Sequence, residues 1–153
     1  MVVALYRLSQ TPGKLPRLEE ELAVAMPDAS QLVPWGMLET LLYLSAVIKE
    51  ALRMAYGTAS RLIRSAVSMA VMHLCQHPDI FDEPEKFEPE RWIHKNKPTD
   101  LFAYAELCLV LAAIVRRFDL TLHDTDFSDV ESVCDALMPM PKPDSKGVRV
   151  MVS

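Results

Sequence analysis

Two stretches with helical periodicity constrain this chain more than anything else in it. From Leu41 to Met54, the residues Leu44, Ile48, Ala51 and Leu52 form one apolar stripe, and Gly57 follows the end. From Leu101 to Phe118, the residues Leu107, Leu111, Ile114 and Phe118 stack on one face. Arg116 and Arg117 lie in the last turn of that stretch, where the helix dipole favours cations. A third helix is predicted to begin at Pro16, with Leu18, Leu22 and Met26 inward, Glu19, Glu20 and Glu21 toward solvent, and Pro27-Asp28 as its stop. Thr11-Pro12-Gly13 and Pro34-Trp35-Gly36 read as turns, and Pro84 to Pro89 as an acidic loop. Ala66 to Cys75 reads as strand or buried helix. Gly147 to Val152 alternates as a strand, with Leu120 to Leu122 as a partner. Met1 to Ser9 is apolar on several sides and too short to assign. The predicted fold class is mainly α with short β elements.

At 153 residues the chain has the length of one domain, 1–153. A net charge of -5 argues against nucleic acid or an anionic membrane surface as partner. The longest apolar run, Leu107 to Val115, is too short to span a membrane, so no transmembrane segment is predicted. The start of the chain lacks a charged leader and a secretory cleavage site. The three cysteines, Cys75, Cys108 and Cys134, form no C-x-x-C pair, which suggests reduced thiols in an intracellular protein.

Glu50 and Arg53 form an E-x-x-R and share a helix face. Taken alone they read as a surface ion pair worth a few tenths of a kcal/mol, roughly. A second motif, Phe87-Glu88-Pro89-Glu90-Arg91-Trp92, changes that reading. Together, in this order, the two resemble the cytochrome P450 family. The resemblance implies that Arg91 reaches back to Glu50, so that Glu50, Arg53 and Arg91 support the wall of a haem pocket. Stripping water from three charges needs good geometry, so the value of such a triad is positional.

More of the chain is similar to that family. Pro27 to Arg53 looks like the helix pair preceding and containing E-x-x-R. Ser60 to Arg64 resembles the segment that gives an arginine to a haem propionate, with Arg64 preferred over Arg61. Gln76 to Phe81 and Glu83 to Phe87 resemble the run into the second motif. Ala103 to Leu107 resembles the helix that begins just after the iron-binding cysteine. Asp144 to Arg149 resembles the C-terminal strand of fungal secondary-metabolism members. The implied fold is the C-terminal portion of a cytochrome P450, with helices followed by a β hairpin.

Three departures accompany the resemblance. The family's membrane anchor, substrate-recognition elements and distal helix are expected to be absent, leaving a truncated domain. Arg64 is followed almost at once by Val67-Ser68-Met69, where the family places a β segment. Only ten residues, Ile93 to Phe102, separate Trp92 from Ala103, and they include neither Cys nor Gly. The family's F-x-x-G-x-R-x-C-x-G loop is therefore missing. Matching flanks around both internal gaps suggest a truncated or mis-spliced gene.

No other residue replaces the axial cysteine well. Family spacing places Lys97 at its position, and lysine is a poor substitute for a thiolate. Cys108 lies eleven residues further along, roughly 16 Å down a helix, and reads as a small core residue. Cys75 and Cys134 have no supporting motif. His73 and His77 have helical metal spacing, but Pro78 follows and no other ligand converges, so exposed loop histidines are the preferred reading.

By resemblance the ancestral activity is haem-dependent monooxygenation, with a reductase as electron donor and a small lipophilic substrate. Without the thiolate the chain is not expected to perform it alone. The competing expectation is a non-catalytic helical remnant whose uncovered apolar faces bind a protein partner.

Overall fold

A computed structural model describes residues 1–31, 33–55, 71–93, 102–131, 133–136 and 138–152. Its elements in order are helices α1 (Val2–Gln10), α2 (Lys14–Ala25), α3 (Trp35–Leu38), α4 (Leu42–Ala55) and α5 (Val71–Cys75), a 3-10 turn Pro89–Trp92, helix α6 (Phe102–Arg117), strand β1 (Leu120–Leu122), a 3-10 turn Phe127–Asp129, and strands β2 (Cys134–Ala136), β3 (Met138–Met140) and β4 (Val150–Val152). The architecture is mainly helical, as the periodicity predicts. The segment Met1 to Ser9, left unassigned above, is the first helix, with Ala4, Tyr6 and Leu8 buried.

Helix α4 is the organising element, because α1, α2, α6 and the Pro89–Trp92 turn all pack on it. Leu44, Val47, Leu18, Leu22, Met26, Leu38, Cys108 and Leu111 form the centre of one apolar core. A helix covered on so many sides carries no simple apolar stripe. The buried residues of α4 include Glu50 and Arg53, while Leu52, assigned above to the stripe, is 49% exposed. The face of α6 is also rotated from its predicted position. Tyr104, Cys108, Leu111, Ala112 and Val115 are buried, whereas Leu107 and Ile114 are only half-buried and Phe118 is exposed.

Side chains from one helix complete the ends of another. The Glu21 carboxylate accepts the backbone N–H groups of Tyr43 and Leu44 at 2.8 Å each, capping α4 from the side of α2. Those N–H groups have no partner inside their own helix, and an anion is favoured there by the dipole. Arg116 donates to the carbonyls of Met26 and Pro27, and Arg117 to those of Ala29 and Ser30. The two arginines thus bind the chain that leaves α2, beyond their favourable place at the end of α6. Gly13, at φ 84, opens α2, so Pro16 is the third helical residue instead of the first.

Where a turn is expected at Pro34-Trp35-Gly36, Pro34 instead precedes a short helix, Trp35–Leu38, and the Trp35 indole meets the Tyr104 ring edge-on at 5.9 Å. The strand predicted over 147–152 contracts to β4, which pairs antiparallel with β1 in the register Leu120↔Val152, Thr121↔Met151, Leu122↔Val150. Gly147, at φ 74, takes the left-handed turn that precedes it. A second antiparallel pair, β2 with β3, was not foreseen, since Pro139 sits within it and demotes a strand reading. Residues 71–75 resolve the strand-or-helix ambiguity as helix. The remainder of that segment, with Gly57, lies outside the described residues. No helix among the described residues is long and apolar enough to cross a membrane.

Candidate functional site

The chemistry of the molecule concentrates on the buried carboxylate of Glu50, which is 0% exposed. Glu50 and Arg53 stand one turn apart on α4. Arg53 therefore donates twice to Glu50, Nη2 to Oε1 at 2.8 Å and Nε to Oε2 at 3.0 Å. The loop that ends in the Pro89–Trp92 turn supplies the remaining donors. Arg91 Nε reaches Oε1 at 3.2 Å, the Glu88 backbone N–H reaches Oε1 at 3.1 Å, and Trp92 Nε1 reaches Oε2 at 2.8 Å. Pro89 holds the first position of this turn, where its missing N–H costs nothing.

Burial by itself would raise the Glu50 carboxyl. The hydrogen bonds from Arg53, Trp92 and the Glu88 N–H, with the Arg53 charge, outweigh it and hold the group below the ordinary carboxylate range. The arginines continue outward. Arg53 Nη1 donates to the Cys75 carbonyl at 2.7 Å and Nη2 to the Lys86 carbonyl at 3.4 Å, while Arg91 Nη1 donates to the Asp82 carbonyl at 3.0 Å. One carboxylate thereby fixes helix α4, the end of α5 and the loop 82–92 in a single network.

A second set of charges holds the same loop from outside. Lys14, at the start of α2, bridges Glu88 and Glu90 at 2.5 Å each, and Arg17 pairs with Glu90 at 2.7 Å. Arg17 also lies 4.3 Å over the Tyr43 ring. Burial would raise the Glu90 carboxyl, but its hydrogen bonding with Glu88 and Lys14 brings it down to about 2. Neither Lys14 nor Arg17 was singled out from sequence. The available signal was the basic-then-acidic character of α2 facing an acidic loop, and nothing in it specifies the pairing.

Of the predicted site residues, Glu50, Arg53 and Arg91 meet in one place. Arg64 and Lys97 lie outside the described residues. His77 follows the end of α5 and is exposed beside Asp79, and His73 is exposed as well. No group of three or more potential metal ligands converges among the described residues.

The sequence profile of Cytochrome P450 matches residues 1–71. Relatives match beyond it. Cytochrome P450 monooxygenase sdnE of Sordaria araneosa is 33% identical over an alignment that includes the whole chain and 37% of that protein. Tryptophan 6-hydroxylase fscE of Fusarium equiseti is 32% identical across 97% of the chain and 36% of its own length. The chain thus spans little more than a third of these curated relatives. The alignment with the Sordaria protein extends over 192 positions for a chain of 153 residues, so at least 39 of its positions have no counterpart here. Among solved structures, the haem domain of cytochrome P450DA superposes with a TM-score of 0.74 at 20% identity, over 99% of this chain and 40% of that one. The chain therefore has the fold of part of a cytochrome P450 haem domain.

Haem–thiolate ligation requires a deprotonated, approachable sulfur. Cys108 is wholly buried on the core face of α6, and burial, with Glu39 nearby, pushes its thiol up to about 12. Burial raises the Cys75 thiol as well. Neither Cys108 nor Cys75 fits an axial thiolate.

Proposed function

Taking the chain as homologous to part of the fungal cytochrome P450s, we propose that it is a non-catalytic segment of that architecture, forming one domain over 1–153. It keeps the Glu50–Arg53–Arg91 support and lacks the sulfur that the support serves. Its relatives are a monooxygenase and a hydroxylase by name, and fungal secondary metabolism is the setting that the resemblance supplies. By descent the chain is linked to haem, a reductase and a lipophilic substrate. As it stands it does not carry out their monooxygenation.

The observation that carries this reading is the nature of the interval after Trp92. Nine residues, 93–101, lie between the Pro89–Trp92 turn and helix α6, and no cysteine is among them. The nearest described sulfur beyond that interval, Cys108, is a core side chain with a strongly raised thiol. The Glu50 network in such a chain stabilises the packing of loop on helix, with no iron ligand to position.

The test is spectroscopic. Purified protein is incubated with haem, reduced and exposed to carbon monoxide. The expected spectrum lacks the red-shifted Soret band of a thiolate-bound ferrous carbonyl complex. Appearance of that band in the full chain, and its loss in Cys108→Ala, would overturn the proposal and assign the ligand.

A second reading, in which the segment binds a protein partner, draws on one feature. Leu52 is exposed beside a shallow apolar hollow lined by Met1, Val3, Ile48, Ala55 and Leu107. A Leu52→Glu variant that leaves self-association and folding unchanged argues against this surface as an interface.

A further inference from the structure

The Glu50 cluster is not neutral within its own salt bridges. One carboxylate meets two guanidiniums, and the side chains of Arg53 and Arg91 are only 2% and 16% exposed. Among the described residues, Glu50 alone forms a salt bridge to either of them. Glu88 and Glu90, the nearest acids along the loop, are paired with Lys14, Lys86 and Arg17. The cluster therefore holds an excess positive charge that is almost fully buried at Arg53 and partly buried at Arg91, which is costly unless something offsets it. Backbone carbonyls of Cys75, Lys86 and Asp82 supply part of the offset.

We infer that the ring of Phe81 supplies the rest and is an electrostatic member of the cluster. The Arg53 guanidinium carbon lies 5.0 Å from the ring centroid and that of Arg91 lies 5.9 Å away, both over the ring. An aromatic face carries negative quadrupolar potential, and two cations at least partly withdrawn from water within about 6 Å of it are attracted. Phe81 is held there by its neighbours. Its backbone N–H donates to the His77 carbonyl at 2.9 Å, and its ring packs at a tilt on Trp92, centroid to centroid 6.0 Å. Trp92 itself donates to Glu50, so the ring sits against the anion's donor as well as over both cations. An aliphatic side chain of similar volume would fill this space and present no negative face. The role is that of a positioning residue, and it holds whether or not the chain takes up haem.

The experiment replaces Phe81 alone by phenylalanines of increasing ring fluorination in the full chain, and follows the melting midpoint. Fluorine withdraws charge from the ring face while keeping its shape and raising its hydrophobicity. The midpoint is expected to fall stepwise, by about 3–6 °C for the pentafluoro ring. A midpoint that stays or rises is the outcome of simple hydrophobic packing and would overturn the inference. As an independent measurement, the loss caused by Phe81→Leu is compared in the native chain and in Arg91→Met. It is expected to shrink measurably when that cation is gone, with the nearer Arg53 keeping part of it, and Phe81→Tyr is expected to retain the native midpoint. Strict additivity of Phe81→Leu and Arg91→Met would overturn the inference as well.

Discussion

Trp92 donates its indole Nε1–H to Glu50 Oε2 at 2.8 Å, so the buried carboxylate is held by an aromatic donor in addition to two arginines. The residue that closes the second motif is therefore part of the network that the first motif begins. A hydrogen bond to a buried charge is worth about 1.5–3 kcal/mol. Trp92→Phe is expected to lower unfolding free energy by that amount in urea titrations. The same substitution in a Glu50→Gln background should cost clearly less, because the charge that the indole meets is gone.

Removing Glu50 should be strongly damaging. Glu50→Ala leaves Arg53 and Arg91 buried without a counter-charge. Breaking a buried pair in this way costs about 3–5 kcal/mol. Thermal melting monitored by circular dichroism checks it, and an unchanged midpoint would show that the carboxylate is solvated.

The chain should lose stability toward acid. Glu50 and Glu90 both have folded pKa values below their unfolded ones. Such groups contribute stability that is fully present above the unfolded carboxylate range and is lost as pH falls through the folded value. For Glu90 that window runs from the ordinary value of 4.5 down to about 2. Urea midpoints measured across this window should decline. Glu90→Gln should make the decline shallower, since an amide does not titrate across this window, while Lys14 keeps Glu88 as its partner.

The outer latch should be weak and sensitive to salt. Lys14 and Arg17 meet Glu88 and Glu90 where the two carboxylates are 29% and 32% exposed and the Arg17 side chain 47% exposed. Pairs of that kind are worth about 0–1 kcal/mol, and salt screens them. Lys14→Met is expected to cost no more than that at low ionic strength and nothing measurable at about 1 M salt. Guanidinium chloride would mask this effect, so urea is the denaturant of choice.

Exposure and burial on α4 and α6 predict opposite tolerances. Leu52 is half exposed, so Leu52→Gln should change stability by roughly 0.5 kcal/mol or less. Leu44 is completely buried, so Leu44→Ala should cost about 2–5 kcal/mol. Cys108, buried and with a raised thiol, should resist a thiol-alkylating reagent until the chain is unfolded. Mass mapping of labelled peptides before and after denaturant gives the result directly.

Much of the scaffold is legible along the chain. The two long helices lie within a residue of their predicted ends, because apolar periodicity over several turns leaves few alternatives. The β1–β4 pairing follows from alternation in both segments. The Glu50–Arg53 spacing is equally plain, but its meaning is not local. An E-x-x-R is a solvated pair on an open helix and a buried one here, and the difference lies in what packs over it. The same limit explains Leu52 and Phe118, which complete apolar stripes on paper and face outward in the fold. Glu21 illustrates the reverse case, since one of three consecutive acids turns inward to cap another helix.

By itself the sequence determined the helical class, the positions of the two long helices, the pair of motifs that carry the resemblance, and the absence of cysteine between Trp92 and α6. These depend on periodicity, turn chemistry and residue identity, all of which are local. Only the tertiary structure decided which charges are buried, that Trp92 shares the Glu50 carboxylate, that Phe81 lies over both guanidiniums, and that α2 latches the loop with Lys14 and Arg17. Those outcomes join residues distant along the chain, and the environment of a charge is set by whatever the rest of the molecule places around it.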